Sequence, residues 1–397
     1  MAGGRSLRGF CQLGLTRGRR DDFGVGTMVT ATHGLALLPH GAFLAIALAG
    51  GLLTLILCRI FARAALLPDI PNDRSSHRKA TSRAGGLAIM IAFTCGILMI
   101  IALRHVGVVP EDVLNEGACA QLLDLLALGL IAAGFGLVDD RYGLGPAIKA
   151  LGQVLPALLF TLMITPFARF PVPVLGVIDL GWAGYPLTVF WIVGVMNVYN
   201  FMDGANGLAG ACGALCCFAI ALVSAPLGFG AVSAASLLTA FSLLGFLWVN
   251  LGEGRIFMGD AGSQSVAFVI AGFGVMIGSG DMQGDAALPF LFVPMILLPL
   301  IADVAFTLIQ RVRRGENILQ AHRQHAYQSL LRLGLAHWVV ATLYASATAL
   351  MACVALWAIS WSPAQQWLSV ALVLAIFGFI NAVLTTKARR LAVQPTS

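Results

Sequence analysis

Ala120-Gln-Leu-Leu-Asp-Leu-Leu-Ala-Leu-Gly-Leu-Ile-Ala-Ala-Gly-Phe-Gly-Leu-Val-Asp139-Asp140-Arg141 is the stretch whose reading decides the fold. From 120 to 138 its only charge is Asp124, after which two carboxylates and an arginine arrive together. A hydrocarbon core about 30 Å thick takes roughly 20 apolar residues of helix, so this run reads as a membrane span that stops at the headgroups. The rest of the chain agrees. Of 397 residues, 59% are hydrophobic and 11% charged, against roughly 25% charged in soluble domains. With 45 glycines and a mean hydropathy of +0.89, such a chain cannot cover a water-facing surface. A soluble enzyme, a secreted scaffold and a disordered protein are excluded.

Working outward by the same criterion predicts an all-α polytopic membrane protein with about 11 transmembrane helices. The spans are 41 to 60, 84 to 103, 120 to 138, 147 to 166, 187 to 201, 207 to 225, 229 to 250, 262 to 279, 288 to 309, 338 to 360 and 366 to 385. Between the fourth and fifth, Phe170-Pro-Val-Pro-Val-Leu-Gly176-Val-Ile-Asp-Leu-Gly-Trp182 is rich in β-branched residues about a central glycine, which favours a short extracytoplasmic β-hairpin. The eight cysteines lack C-x-x-C pairing and mostly lie in apolar runs, so they read as small buried hydrophobes. No internal repeat supports an inverted-repeat transporter.

The side holding excess Lys and Arg is cytoplasmic. Alternate loops carry 17 such residues against two, Arg104 and Arg169, and the remaining five (Arg5, Arg8, Arg17, Arg19, Arg20) precede the first span. An odd helix count with an inside C-terminus would put that tail outside, against the rule. Residues 1–40 are therefore read as an N-terminal tail, disordered or belonging to a misassigned start, with Met28 as an alternative beginning. Residues 386–397 form a cytoplasmic C-terminal tail. The net charge of +6 reflects this topology and anionic headgroups; membrane lipids are expected partners and nucleic acid is not.

The unusual polar residues collect on the basic side, in five loops. These hold Asp69 to Lys79 with Ser82-Arg-Ala-Gly-Gly86; Asp139-Asp140-Arg141 through Lys149; Asn197 through Asn200-Phe-Met-Asp203-Gly-Ala-Asn206-Gly207; Arg255-Ile-Phe257-Met-Gly-Asp260-Ala-Gly-Ser263; and His322-Arg323-Gln-His325. Adjacent helical residues point about 100° apart, so Asp139 and Asp140 can take different jobs, one toward a metal or phosphate and the other accepting a proton. A solvated helix end would read the same way. Asp203 and Asp260 each precede an apolar helix and fit an N-cap, yet the glycines beside them let backbone approach a ligand, and with Asn200 their oxygens suit Mg²⁺. Phe257 is either packing or a base-stacking platform, and Asn206 a turn residue or a contact to a nucleobase edge. His322, Arg323 and His325 suit anionic oxygens or lipid headgroups, since zinc would need further ligands. Lys149 either snorkels to the interface or neutralises a phosphate. Asp303 is plainly intramembrane, and pairing with Arg313 or Arg314 is open to it.

Together these motifs resemble the polyprenyl-phosphate N-acetylhexosamine-1-phosphate transferase superfamily, over residues 41 to 385. The parts that match are Gly-Leu-Val-Asp139-Asp140, Lys149-Ala-Leu-Gly-Gln153, Asn200-Phe-Met-Asp203-Gly-Ala-Asn206, Phe257-Met-Gly-Asp260-Ala-Gly-Ser263 and His322-Arg-Gln-His325. The resemblance implies one transferase domain at 41–385, undecaprenyl phosphate as acceptor, a UDP-N-acetylhexosamine donor, and Mg²⁺, with Mn²⁺ as a substitute. It implies Asp260 and Asn200 at the metal and Asp139, Asp140 and Asp203 as catalytic. Phe257 would stack on uracil, Asn206 would contact its edge, Lys79 and Lys149 would bind substrate, and His322, Arg323 and His325 would meet diphosphate and sugar. The final loop lacks the three consecutive histidines of the phospho-MurNAc-pentapeptide branch and looks more like O-antigen-initiating enzymes of the bacterial inner membrane. A homodimer is left open. The rivals are a polytopic transporter and a CDP-alcohol phosphotransferase, the latter lacking its second acidic cluster.

Overall fold

The computed structural model describes residues 33–69, 81–279, 289–317 and 324–393. Among these the chain is helical apart from two short strand pairs. Helices α1 (His33–Arg63), α2 (Gly85–His105), α3 (Glu116–Tyr142) and α4 (Pro146–Met163) follow the first four predicted spans. Next come α5 (Gly184–Met202), α6 (Leu208–Ser224), α7 (Gly230–Leu247, prolonged by the π-helical turn Trp248–Glu253) and α8 (Gly259–Ser279). Helix α1 begins at His33, ahead of its membrane-spanning part at Gly41–Arg63; residues 1–32 lie outside the described residues.

The ninth predicted span is not one helix. It is α9 (Phe292–Ile296) and α10 (Leu298–Arg313), separated at Leu297. Pro299 has no N–H to donate and sits in the first turn of α10, where that donor would have no partner anyway. After it come α11 (Ala326–Arg332), α12 (His337–Trp357) and α13 (Pro363–Val393). Eight helices are long and apolar enough to cross a bilayer. Helix α5, which carries Asn197 and Asn200, α6 with 17 residues, and the broken α9–α10 do not meet that measure. Apolarity thus supports eight spans among the described residues where eleven were expected.

Strands β1 (Pro68–Asp69) and β2 (Thr81–Ser82) pair antiparallel, as do β3 (Arg169–Val172) and β4 (Gly176–Asp179), with Arg169 opposite Asp179 and Val172 opposite Gly176. The second pair connects α4 to α5 and is tied to α13 by the Trp367 indole, which donates to the Pro171 carbonyl at 2.7 Å. The described cysteines are all unpaired; Cys58, Cys119, Cys212, Cys216 and Cys217 are buried, whereas Cys95 and Cys353 are exposed.

Helix α8 is the centre of the bundle, buried at every residue from Ser265 to Gly278. From Val266 to Gly278 it is apolar all round, as a helix surrounded by protein must be, and it lies against α2, α3 and α5. Small residues set how closely it is approached. A Cβ on Gly86 would stand 2.1 Å from the Gly262 Cα, and one on Gly136 would stand 2.3 Å from the Asp260 carbonyl oxygen. Lipid offers no hydrophobic drive between helices, so such close van der Waals contact is what joins them. Gly136→Ala should therefore lower the thermal midpoint in detergent, by an overpacking cost of about 1–3 kcal/mol. Gly134→Ala, two positions away with nothing within 4 Å, should leave it unchanged or raise it slightly.

Candidate active site

Helices end and begin at one level of this bundle. Helix α3 closes on Asp139-Asp140, α5 stops before Asp203, and α6 and α8 start at Leu208 and Gly259. After α3 the chain reverses at Gly143, whose φ of 66° puts it in the left-handed region. The Leu144 N–H then donates to Asp139 Oδ1 at 2.7 Å. Pro146 starts α4 directly, and one turn on, Lys149 returns to place Nζ 2.6 Å from Asp139 Oδ2.

Asp140 faces the other way, as one step of helix rotation requires. Its side chain is 2% exposed, and Oδ2 accepts the Ala261 N–H at 3.0 Å, in the first turn of α8. Arg83 Nη1 lies 3.9 Å from Oδ1 and Nη2 lies 2.8 Å from Asp69. The two adjacent acids thus have separate partners: Asp139 holds a lysine and the α3–α4 turn, while Asp140 holds the start of α8.

Asp260 is a third exposed and faces both. Its Oδ2 is 3.9 Å from Lys149 Nζ, and its carboxyl is within hydrogen-bond reach of that of Asp139. Two carboxylates so close require a proton or a cation between them. Asn200 donates its amide to Asp260 Oδ1 and to Ser263 Oγ, both at 2.8 Å, so in this arrangement it orients Asp260. Asp203 is half-buried beside them, outside the spanning segments. Desolvation, and then the negative charges of Asp260 and Asp140, raise its carboxyl well above the ordinary range. Among the described residues no three His, Cys, Asp or Glu side chains converge into a protein-only cage. An open pair of carboxylates fits a Mg²⁺ that takes its other ligands from water and phosphate.

Phe257 lies in a short extended piece joined to the chain entering α2. Its N–H donates to the Ser82 carbonyl at 2.7 Å and its carbonyl accepts the Gly85 N–H at 3.0 Å. The Asn206 N–H donates to His337 Nδ1 at 3.1 Å. Next to it, Asn250 accepts the Gly207 N–H at 2.6 Å and donates to the Ile256 carbonyl at 2.7 Å, tying the Asn206 turn to the Phe257 segment. His325 is 1% exposed, stacked on Tyr327 and tilted against Phe201. Lys79, His322 and Arg323 lie outside the described residues.

Sequence reasoning missed Asn250, His337 and Gln264, and it quoted Gln153 and Asn197 without a role; with Gln264 these form a polar trio below the carboxylates. Gln153 donates to Gln264 at 3.1 Å and exchanges hydrogen bonds with Asn197 at 2.9 and 3.3 Å. A signal was available: Gln153 and Gln264 stand four residues after Lys149 and Asp260, and Asn197 three before Asn200, so each lies one turn into the bundle from a site residue. Asn197 also ends an apolar groove of about 650 Å³ along α4 and α5, lined by Val154, Leu158, Val189, Phe190 and Val193.

Comparison with known proteins identifies the family. The model of glycosyl transferase family 4 matches residues 122–278, the segment that supplies Asp139, Asp140, Lys149, Asn200, Asp203, Phe257 and Asp260. A decaprenyl-phosphate N-acetylglucosaminephosphotransferase of Mycolicibacterium smegmatis is 31% identical over 67% of this chain and 69% of its own. The chain belongs to glycosyl transferase family 4. It is also similar to an undecaprenyl-phosphate alpha-N-acetylglucosaminyl 1-phosphate transferase of Escherichia coli strain K12, at 28% identity over 82% of this chain and 85% of that one. A phospho-N-acetylmuramoyl-pentapeptide-transferase of Mycobacteroides abscessus is 30% identical over 56% and 72%. The protein is thus a multi-pass membrane transferase, and the bridge between its Asn206 turn and Phe257 segment is open to test. Asn250→Ala should strand two buried backbone groups, at about 1–3 kcal/mol each, seen as a lower thermal midpoint and faster exchange of the Gly207 amide.

Proposed function

We propose that this protein transfers an N-acetylhexosamine 1-phosphate from a UDP-sugar to undecaprenyl phosphate, releasing UMP and leaving undecaprenyl-diphosphate-sugar. The observation that carries the reading is the lysine-bridged carboxylate pair, Asp139 and Asp260 about Lys149, beside the inner end of an apolar groove. The reaction joins two anions, a lipid phosphate and a nucleotide diphosphate, and needs their charge offset before attack. The names of the relatives support the same acceptor class and sugar.

The polyprenyl chain would lie along α4 and α5, which brings its phosphate to Lys149. Asp139 orients or deprotonates that phosphate, whose oxygen attacks the sugar-bearing β-phosphorus as the bond to UMP breaks. Mg²⁺, or Mn²⁺ in its place, would be held by Asp260, with Asn200 and Ser263 fixing that carboxylate, and would offset the charge on the diphosphate. Asp203, whose carboxyl feels the charges of Asp260 and Asp140, would add to the negative field that draws the cation. Phe257 and Asn206 flank the place for uracil, and Lys79, His322 and Arg323 complete the anion contacts. The site would face the cytoplasm across the inner membrane, where the arginine-rich loops gather.

Within the family, the loop His322-Arg-Gln-His325-Ala-Tyr-Gln328 favours the enzymes that start O-antigen or related lipopolysaccharide glycans, with UDP-GlcNAc or a 6-deoxy sugar such as UDP-QuiNAc or UDP-FucNAc as donor. The Mycobacteroides relative keeps a second reading in view, UDP-MurNAc-pentapeptide as donor. The test is purified protein with undecaprenyl phosphate, Mg²⁺ and a panel containing all four donors, following UMP and the lipid product. Product with an N-acetylhexosamine donor is expected; none with any donor would sink the reading. Asp260→Asn and Asp139→Asn should each lower kcat by about 10²-fold or more, and chelation should abolish turnover until Mg²⁺ is restored. In the groove, Val193→Trp should raise KM for the lipid acceptor severalfold while KM for the nucleotide sugar stays within about twofold, because only the chain's path is narrowed.

A further inference from the structure

Asp303 is the buried carboxylate that this mechanism leaves unused. It is 1% exposed in α10, and its partners are neither Arg313 nor Arg314. Arg314 bonds Gln310 at 3.0 Å and lies 3.7 Å from Glu316, to which Arg311 also pairs at 3.1 Å. Asp303 instead accepts the Ala326 N–H at 2.7 Å on Oδ1, and on Oδ2 the Tyr327 N–H at 3.1 Å and the Tyr344 hydroxyl at 2.5 Å. His325 Nδ1 stands 3.6 Å away. A carboxylate buried in a bundle must be matched by hydrogen-bond donors or a counter-charge, and here two of those donors are the backbone of the segment that follows His322-Arg323.

The segment so held reaches the carboxylate cluster. The Tyr327 hydroxyl donates to the Phe201 carbonyl at 3.0 Å and accepts from Gln328 at 3.1 Å. Gly204 is what admits it, since a Cβ there would lie 2.0 Å from the Tyr327 oxygen. One continuous path therefore runs from Asp303 through the Ala326-Tyr327 backbone to the Phe201-Met-Asp203-Gly204 turn.

We propose that Asp303 is a positioning residue for the transfer reaction, setting the final loop against the turn that carries Asp203 from inside the bundle. This rests on the function proposed above. Asp303 touches no substrate, and neither does His325, whose burial makes it part of the clamp rather than a contact for diphosphate. A misplacement of about 1 Å is enough to cost roughly 10²-fold in rate.

Two readouts test this on the full chain. By hydrogen exchange, Asp303→Asn should speed the Ala326 and Tyr327 amides at least tenfold while α3 and α8 exchange as in wild type. By kinetics, Asp303→Asn and Tyr327→Phe should each lower kcat about 10- to 100-fold and raise KM for the nucleotide sugar, with KM for undecaprenyl phosphate unchanged. The double variant should lose less than the product of the two, since both act on one path. Unchanged exchange would overturn the proposal, and so would wild-type kcat and KM in folded protein of lowered thermal midpoint. Tyr327→Phe, which deletes one hydroxyl and keeps the buried ring, serves if Asp303→Asn fails to fold. An inactive wild type would refute the assigned reaction, and exchange alone would then judge the clamp.

Discussion

The site depends on one contact, the carboxylate of Asp140 at the first turn of α8. Asp140 belongs to α3, and it can reach the Ala261 N–H only because Gly136, one turn earlier, lets the α3 backbone come against the Asp260 carbonyl. The first N–H groups of a helix have no partner within it, and inside a membrane no water replaces one. Asp140 satisfies such a group and so joins α3 to the centre of the bundle. Asp260 is the residue immediately before Ala261, and its placement follows from that join.

Around this junction Asp139 and Asp260 are each met by a side chain from another helix. Lys149 from α4 stands between Asp139 and Asp260, and Asn200 from α5 holds Asp260 from the far side. One turn deeper, Gln153, Asn197 and Gln264 repeat the meeting of α4, α5 and α8 with neutral amides. Charge sits at the bundle's end, where solvent has access, and amides take over where charge would be costly. Asp303 departs from that pattern and is tolerated because backbone and tyrosine donors surround it.

Much of this was legible in the chain. Ten of the eleven predicted spans coincide with single helices, although only eight helices among the described residues are apolar enough to cross a bilayer, because runs of apolar residues without charge have few other stable forms in lipid. The clustering of Asp139, Asp140, Asn200, Asp203 and Asp260 on one side followed from where the charges interrupt those runs. The break of the ninth span at Leu297 was harder to see, since its residues are as apolar as those of an unbroken helix. Asn250 and His337 were missed because each sits at the end of an apolar run, where a polar residue is ordinary, and acts on backbone groups 43 and 131 positions away, a distance no local pattern encodes.

The sequence by itself determined that the chain lives in a bilayer, that its chemistry is gathered at one end, and which carboxylates are present there, because hydropathy and charge placement are local properties that water and lipid sort directly. Only the tertiary structure decided what each of them does. Asp139 and Asp140 are neighbours of identical chemistry, and the helices that meet them make one the partner of a lysine and the other the cap of a buried helix. His325 carries the same imidazole as a surface histidine, and it is the position of α10 beneath it that turns it inward. Such differences arise from contacts between residues far apart in the chain, which exist only once the helices have packed.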